Sequence, residues 1–214
     1  MNGAKIGRVI RDIIIYIFLA ICVFSVLVTV LSKKDSDGAA EIFGYQMRVV
    51  TSDSMAECEH TDVSAYKIKD IPKRSLVFVK MMPQSSAEAD AFYRSLQAGD
   101  VLTFRYVYTT QITITHRITS ITEKDTGGFI IELAGDNKNS KDTQLTQVID
   151  TSVPNNTNYV LGKVVGHSYL LGLVMSVMKQ PVGIVLFIIL PCFIIILLEV
   201  IKIVKVLEED KRSA

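Results

Sequence analysis

The chain has 214 residues, of which 49% are hydrophobic, and its 23 basic and 22 acidic side chains leave a net charge of +1. This length accommodates one domain with additional segments. Because the charge is balanced and forms no basic stripe, we expect no nucleic-acid partner. Of the three cysteines, only Cys58 lies away from the apolar ends of the chain, which excludes an internal disulfide scaffold.

Two long apolar runs lie near the ends of the chain. Ile13–Leu31 contains 19 residues without a charge, enough to cross a bilayer core of about 30 Å as a helix. Val182–Leu198 contains Pro191, which membrane helices tolerate better than soluble ones. We predict transmembrane helices at residues 13–31 and 182–201, with the lipid bilayer as a partner. A cleaved signal peptide is the alternative for the first run, and a buried core helix is the alternative for the second.

The basic residues beside these runs predict the orientation of the chain. Four of them follow the second run, whereas Lys179 alone lies just before it. We therefore expect residues 1–12 and 202–214 on the cytoplasmic side of the cell membrane or the endoplasmic-reticulum membrane. The predicted localisation is that of an integral membrane protein with two spans and an extracytoplasmic domain between them.

The region between the two runs has the composition of a β domain. Short segments rich in Val, Ile, Thr and aromatic residues alternate with turns containing Gly, Asn and Asp, which is typical of strands. The predicted strands are Met47–Thr51, Ser75–Lys80, Val101–Tyr106, Thr110–Ile121, Phe129–Ala134 and Tyr159–Gly166. Met81–Gln97 breaks the pattern and is expected to be a surface loop with one helical turn. The sequence thus predicts a spacer at 32–41 and a mostly β domain at 42–173.

One predicted strand carries a histidine among apolar residues, in the segment QITITHRITSI. Alternation of side chains places His116 on the same face as its isoleucine neighbours and Arg117 on the opposite face. A histidine on an apolar face is more often a core residue than a base. Both interpretations of His116 stay open on this pattern alone.

The segment AGDNKNSKD, Ala134–Asp142, provides two carboxylates, Asp136 and Asp142. Asp and Asn are typical of polar turns because their side chains satisfy nearby backbone groups. Two acids six residues apart also suggest a cation site, but the sequence contains neither an HExxH motif nor an EF-hand loop. We therefore expect no metal and no cofactor.

A third polar segment, VVTSDSMAECEH, places Ser54 in a turn after an apolar run. Most serines in turns only cap backbone groups. A serine, a histidine and an aspartate in one β domain nevertheless supply the side chains of nucleophilic acyl transfer. Serine needs a base to take its proton, and the histidine needs a carboxylate that fixes its tautomer.

Five short segments resemble signal peptidase I of the endoplasmic-reticulum type, which occurs in archaea, eukaryotes and some Gram-positive bacteria. In chain order they are FGYQMRVVTSDSM, GDVLTF, ITHRI, LAGDNKNSKD and LGKVVG. The resemblance extends over Phe43–Gly172. It implies a mostly β catalytic domain, anchored by one N-terminal and one C-terminal transmembrane helix. The implied activity is that of a serine endopeptidase that removes signal peptides from secreted preproteins by Ser-His-Asp acyl transfer.

The resemblance also implies the roles of individual residues. Ser54 matches the nucleophile of the family, and His116 matches the base. The triad acid of the family falls on Asp142, and Asp136 is expected to be a supporting acid, although the two acids are interchangeable at this stage. The preproteins are the expected partners. Whether the chain also binds a translocon or accessory subunits is left open by the resemblance.

The segment around the nucleophile matches the family only in part. Ser52 is expected to donate a hydrogen bond to the oxyanion, and Met55 is expected to contribute to substrate binding. However, Asp53 stands where the family has glycine, and the usual Glu-Pro after Met55 is absent. These departures favour, as an alternative, a catalytically inactive signal-peptidase-like membrane protein with a binding or assembly role. A metal-dependent hydrolase using Asp136, Asp142 and a histidine is a third interpretation.

Overall fold

The structure is a computed structural model of the chain, and its contacts divide the chain into two compact units. One unit is Lys33–Ser176, and the other combines Met1–Ser32 with Val177–Ala214. The residues that the structure describes are 12–13, 15–20, 33–34, 39–56, 62–107, 111–139, 146–153, 159–178 and 180–213.

Within the described part of the Lys33–Ser176 unit, nine strands form one antiparallel sheet. They are β1 (Lys33–Lys34), β2 (Ala40–Ile42), β3 (Tyr45–Val49), β4 (Leu76–Met81), β5 (Val101–Val107), β6 (Gln111–Glu123), β7 (Phe129–Ala134), β8 (Gln147–Asp150) and β9 (Tyr159–Ser168). Their order across the sheet is β1-β2-β3-β4-β9-β5-β6-β7-β8. Because β9 lies between β4 and β5, the last strand joins two otherwise sequential halves of the sheet.

Six of these strands overlap the predicted ones, and three lie where the sequence predicts none. The unpredicted strands are β1, β2 and β8. Lys33–Lys34 lies inside the region 32–41 that is expected to be a spacer, and Ala40–Ile42 begins at its end. The strand β8 has the sequence QVID, in which two apolar residues are too few to establish an alternating pattern.

Two clusters of buried apolar side chains form the core. The first core cluster consists of Leu96, Leu102, Phe104, Ile118, Phe129, Ile131, Leu133, Ile149 and Val160. The second core cluster consists of Met55, Ile68, Ile71, Val77, Val79, Val101 and Val164. In β7 every second residue is buried, as expected for a strand with one face toward a core. The second core cluster includes the residue that follows Ser54.

A helix, Ser86–Arg94, occupies the segment predicted to be a surface loop with one helical turn. Ser85 caps it, because its Oγ accepts a hydrogen bond from the backbone N–H of Glu88 and donates one to the Glu88 carboxylate at 2.7 Å. Ser85 and Glu88 have the S-x-x-E spacing of a capping box, but the glutamate here accepts from the Ser85 hydroxyl. Phe92 and Tyr93 then pack against the first core cluster. The prediction of a loop is wrong because the S-x-x-E signature of Ser85 and Glu88 indicates the start of a helix.

The second apolar run is divided among three helical segments. They are Pro181–Ile184, the π-helical turn Val185–Ile189 and Leu190–Ser213. The longest of them carries Glu199, Lys202 and Lys205 among its first 18 residues, so its apolar part is too short to cross a bilayer.

No helix among the described residues is both long enough and apolar enough to cross a membrane. Of the run at 13–31, the structure describes residue 13 and residues 15–20, which are helical. The predicted fold class, with one N-terminal and one C-terminal transmembrane helix, is therefore contradicted. The predicted integral membrane localisation with two spans is contradicted by the same finding.

Asp150 at the end of β8 makes the stability of the sheet dependent on pH. Its Oδ1 accepts hydrogen bonds from the Ser152 hydroxyl at 2.6 Å and the Ser152 N–H at 3.0 Å, and Lys124 Nζ lies 3.0 Å from Oδ2. These contacts, with the Ser152 hydroxyl first, lower the pKa of Asp150 from 3.8 to about 2. Because the folded-state pKa is depressed, this stabilisation is complete above the unfolded pKa and is lost as the pH falls through the folded one.

We therefore expect the free energy of unfolding to fall between about pH 4 and pH 2, and Asp150→Asn to reduce that fall. Urea denaturation at several pH values measures it. The control is Asp125→Asn, which removes an exposed carboxylate in the neighbouring turn. Equal pH dependence in the wild type and Asp150→Asn would contradict this account of Asp150.

Gly162 in β9 is required by the close approach of β4. A Cβ atom at Gly162 would lie 2.8 Å from the Lys80 carbonyl carbon and 2.9 Å from the Met81 Cα, both backbone atoms that cannot rotate away. We expect Gly162→Ala to lower the free energy of unfolding by about 1–3 kcal/mol. Gly166→Ala is the matched control in the same strand, because its Cβ would meet only a Phe78 ring atom at 3.9 Å. Equal urea midpoints for the two variants would refute this prediction.

Candidate active site

The turn after β3 holds two serines next to each other. Ser54 is 4% exposed, and its Oγ lies 3.1 Å from Ser52 Oγ in a hydrogen bond for which either hydroxyl is the donor. The backbone of the turn is closed by a hydrogen bond from the Ala56 N–H to the Asp53 carbonyl at 2.9 Å. The predicted nucleophile and the predicted oxyanion donor are therefore in contact.

Asp53, at the position where the family has glycine, is accommodated without strain. Among the described residues, the non-glycine residues with positive φ are Phe43 and Arg74, so Asp53 has an ordinary negative φ. Its side chain is exposed. An aspartate in this turn therefore needs no left-handed backbone.

Met55, predicted to contribute to substrate binding, is a core residue in the structure. Its side chain is 1% exposed and belongs to the second core cluster. Its backbone carbonyl accepts a hydrogen bond from the Ile71 N–H at 2.8 Å. Met55 thus fixes the turn that follows Ser54 to the core. Its contribution to the site is to position this turn.

His116 lies in the middle of β6 and is 1% exposed. Its ring packs edge-on against Phe104, with 6.3 Å between the ring centroids. Its Nδ1 atom lies 2.7 Å from Oε1 of Gln147, the first residue of β8. Of the isoleucines that alternation places on the face of His116, Ile118 is buried, whereas Ile112 is 48% exposed. The polar partner Gln147 comes from a strand that the sequence does not predict.

Arg117, the next residue, forms a buried ion pair with Asp136. Its Nε and Nη2 atoms donate hydrogen bonds to the Asp136 carboxylate at distances between 2.6 and 3.1 Å. Its Nη1 atom donates to the carbonyl oxygens of Ile68 at 2.9 Å and Gly99 at 2.8 Å. The side chains of Arg117 and Asp136 are each 3% exposed. Asp136 is therefore linked by its ion pair with Arg117 to the strand β6, which also carries His116.

Asn137 connects this ion pair to the serine turn. Its backbone N–H donates a hydrogen bond to the Ser54 carbonyl at 2.9 Å, and its Nδ2 donates to the Asp53 carbonyl at 3.2 Å. The turn formed by Gly135, Asp136 and Asn137 thus contacts the serine turn on one side and Arg117 of β6 on the other.

The structure brings Ser52 into contact with Ser54. Asn137 contacts the serine turn, and the preceding residue Asp136 pairs with Arg117, the neighbour of His116. The hydrogen bond of Ser54 Oγ is with Ser52, and that of His116 Nδ1 is with Gln147. Asp142, predicted to be the triad acid, lies outside the described residues, and its role stays a prediction.

Sequence reasoning missed two residues of this arrangement. Asn137 is part of the segment AGDNKNSKD, but its composition predicts only a polar turn. Gln147 gives a stronger signal in retrospect, because a buried glutamine requires a hydrogen-bond partner. That signal depends on recognising β8 as a strand.

Across the described ranges, no group of three or more His, Cys, Asp or Glu side chains is arranged to hold a metal ion. Comparison with protein-family models gives no match for the chain, and comparison with curated proteins gives none either.

Proposed function

We propose that this chain is a serine endopeptidase of the signal peptidase I type, which removes signal peptides from preproteins. Ser54 is the nucleophile and His116 is the general base. The observation that carries the proposal is the turn Gly135–Asn137, which is hydrogen-bonded to the Ser54 backbone and paired with Arg117 beside His116. One short segment thereby contacts the backbone of the proposed nucleophile and the neighbour of the proposed base, which are far apart in the sequence.

The reaction follows from the chemistry of these groups. The Ser54 hydroxyl attacks the scissile carbonyl carbon while His116 accepts its proton, and His116 then donates the proton to the leaving amine. Water hydrolyses the resulting ester on Ser54. The Ser52 hydroxyl and the Ser54 N–H are the proposed donors to the oxyanion, and Ser52 is already within 3.1 Å of Ser54 Oγ.

The two acids have different roles in this proposal. Asp136 supports the site by accepting hydrogen bonds from Arg117. The next residue, Asn137, donates its backbone N–H to the Ser54 carbonyl. The resemblance assigns the triad acid to Asp142, and the contact of His116 Nδ1 with Gln147 competes with that assignment. The substrates we propose are preproteins with small side chains at two alternate positions before the cleavage site, because alternate side chains of an extended peptide meet the same wall.

Replacement of the base tests the mechanism. We expect His116→Ala to lower kcat by at least about 10²-fold, because proton transfer is lost, and added imidazole to restore part of the rate by entering the vacated space. The assay is cleavage of a preprotein followed by mass spectrometry of the products. His167→Ala, which removes a histidine from β9, is the control and should retain full activity without imidazole. Full activity of His116→Ala would exclude the proposed base.

One observation favours a second candidate, a catalytically silent protein that binds preproteins. The Ser54 side chain is 4% exposed, whereas a nucleophile has to meet its substrate. A purified wild-type chain that binds a preprotein with a saturable affinity but releases it uncut would establish this second function. Cleavage that a chelator stops and that Ser54→Ala retains would establish a metal-dependent hydrolase instead.

A further inference from the structure

Gln147 occupies the place where a Ser-His-Asp triad has its carboxylate. Its Oε1 atom lies 2.7 Å from His116 Nδ1, and the two residues are 8% and 1% exposed. In a triad the group on Nδ1 fixes the tautomer of the ring and leaves the Nε2 lone pair to accept the proton of serine. An amide oxygen on Nδ1 fulfils the first of these tasks without carrying a charge.

The fold holds Gln147 rigidly in this place. It is paired with Leu133 of β7, and Leu133 is paired in turn with Ile118 of β6, two residues beyond His116. Gln147 and Ile149 are the buried residues of β8, so the glutamine side chain lies on the core face of the strand. A buried amide requires a hydrogen-bond partner, and His116 Nδ1 provides one.

The direction of this hydrogen bond determines which ring nitrogen carries the proton. A carbonyl oxygen only accepts, so a neutral His116 facing Gln147 Oε1 has its proton on Nδ1. The hydrogen bond at one ring nitrogen sets the state of the other, so Nε2 then carries no proton, as a general base requires.

We propose that Gln147 is a positioning residue that holds His116 in the Nδ1–H tautomer. The effect of this contact on catalysis rests on the proposed function, whereas the contact itself does not. Gln147 then provides the orienting contact that the sequence resemblance assigns to Asp142.

The tautomer is measured on the full chain by nitrogen-15 NMR of its three histidines. The signals of His116 are assigned from their loss in His116→Gln. We expect wild-type His116 to have a protonated Nδ1 and an unprotonated Nε2. We expect Gln147→Met, which keeps the length of the side chain but removes the acceptor, to produce a mixture of tautomers. Gln84→Met, at an exposed glutamine, should leave the spectrum unchanged.

Kinetic measurements then connect the tautomer with catalysis. We expect Gln147→Met to lower kcat by about 10²-fold with an unchanged KM, since the base loses its orientation while the substrate contacts remain. Gln147→Glu should retain most of the rate and move the acid limb of the pH–rate profile to higher pH, because a carboxylate favours the imidazolium. It also provides a folded comparison if Gln147→Met is unstable.

Three results would overturn the inference. The first is wild-type His116 in the Nε2–H tautomer. The second is an unchanged His116 tautomer in Gln147→Met. The third is a tautomer change produced by Asp142→Asn and absent in Gln147→Met, which would return the orienting role to Asp142. The NMR measurement needs no substrate, so it decides the contact even if the wild type proves unable to cut a preprotein. Failure of the proposed function would appear only in the cleavage assay.

Discussion

Ser54→Ala is expected to abolish cleavage, with a loss in kcat of about 10⁶-fold, the size seen when the nucleophile of a serine endopeptidase is removed. The measurement is the single-turnover rate constant for a peptide that spans a cleavage site with small residues. The variant should remain folded, since the substitution removes one hydroxyl and its 3.1 Å hydrogen bond with Ser52, worth about 1 kcal/mol.

Two further serine variants make this result specific. Ser52→Ala removes the proposed oxyanion donor but leaves the nucleophile, so we expect an intermediate loss in kcat of about 10²–10³-fold. Ser86→Ala removes an exposed serine at the start of the helix Ser86–Arg94 and should have wild-type kinetics. Equal rates for Ser54→Ala and Ser86→Ala would show that Ser54 takes no part in the reaction.

Arg117→Leu is expected to be the most destabilising single substitution at this site. Its guanidinium pairs with Asp136, donates to the carbonyl oxygens of Ile68 and Gly99, and lies 4.9 Å from the centroid of the Tyr66 ring. Removing it leaves the Asp136 carboxylate buried without its counter-ion. We expect the free energy of unfolding to fall by about 3–5 kcal/mol, measured by urea denaturation.

An exposed arginine in the same domain provides the matched control. Arg94 pairs with Asp90 and Glu123, but its side chain is 54% exposed. Exposed ion pairs contribute about 0–1 kcal/mol, so Arg94→Leu should have only a small effect. In the double variant Arg117→Leu with Asp136→Leu, both charges are removed, and part of the lost stability should return. A loss in Arg117→Leu no greater than that in Arg94→Leu would contradict the structural role of the buried pair.

Local patterns in the sequence predict the strands that have enough residues to show them. Alternation in FIIELA predicts β7, and its Phe129, Ile131 and Leu133 are the buried residues. The four residues of β8 have too short a pattern, so the strand that provides Gln147 is absent from the prediction. The S-x-x-E signature that begins at Ser85 is present in the sequence, and it predicts the helix that follows.

Properties that depend on tertiary contacts are beyond the reach of such patterns. Alternation places Arg117 opposite the apolar face of His116 and gives no reason to bury it. Its burial depends on Asp136, which is 19 residues away and neutralises its charge within the fold. The error at the second apolar run has a different origin, since the length of Val182–Leu198 shows neither its division into shorter helical segments nor the effect of the charges that follow Leu198.

The residue types of the candidate site are visible in the sequence, whereas their arrangement is not. The motifs around Ser54, His116 and Asp136 are each short, and the sequence cannot tell that Asn137 connects them. Nor does it tell that Met55 lies in the core or that a glutamine lies on Nδ1 of His116. The contacts of Gln147 with His116 and of Asn137 with Asp53 join residues that are 31 and 84 positions apart, and only the folded chain defines them.

The most direct test of the proposed function is the cleavage of a preprotein by the purified wild-type chain and Ser54→Ala, each with and without a chelator. Product masses identify the bond that is cut. We predict that the wild type cuts once after a small residue, that the chelator has no effect, and that Ser54→Ala does not cut. Cleavage by Ser54→Ala at the wild-type rate, or an intact preprotein in every sample, would contradict the serine endopeptidase mechanism.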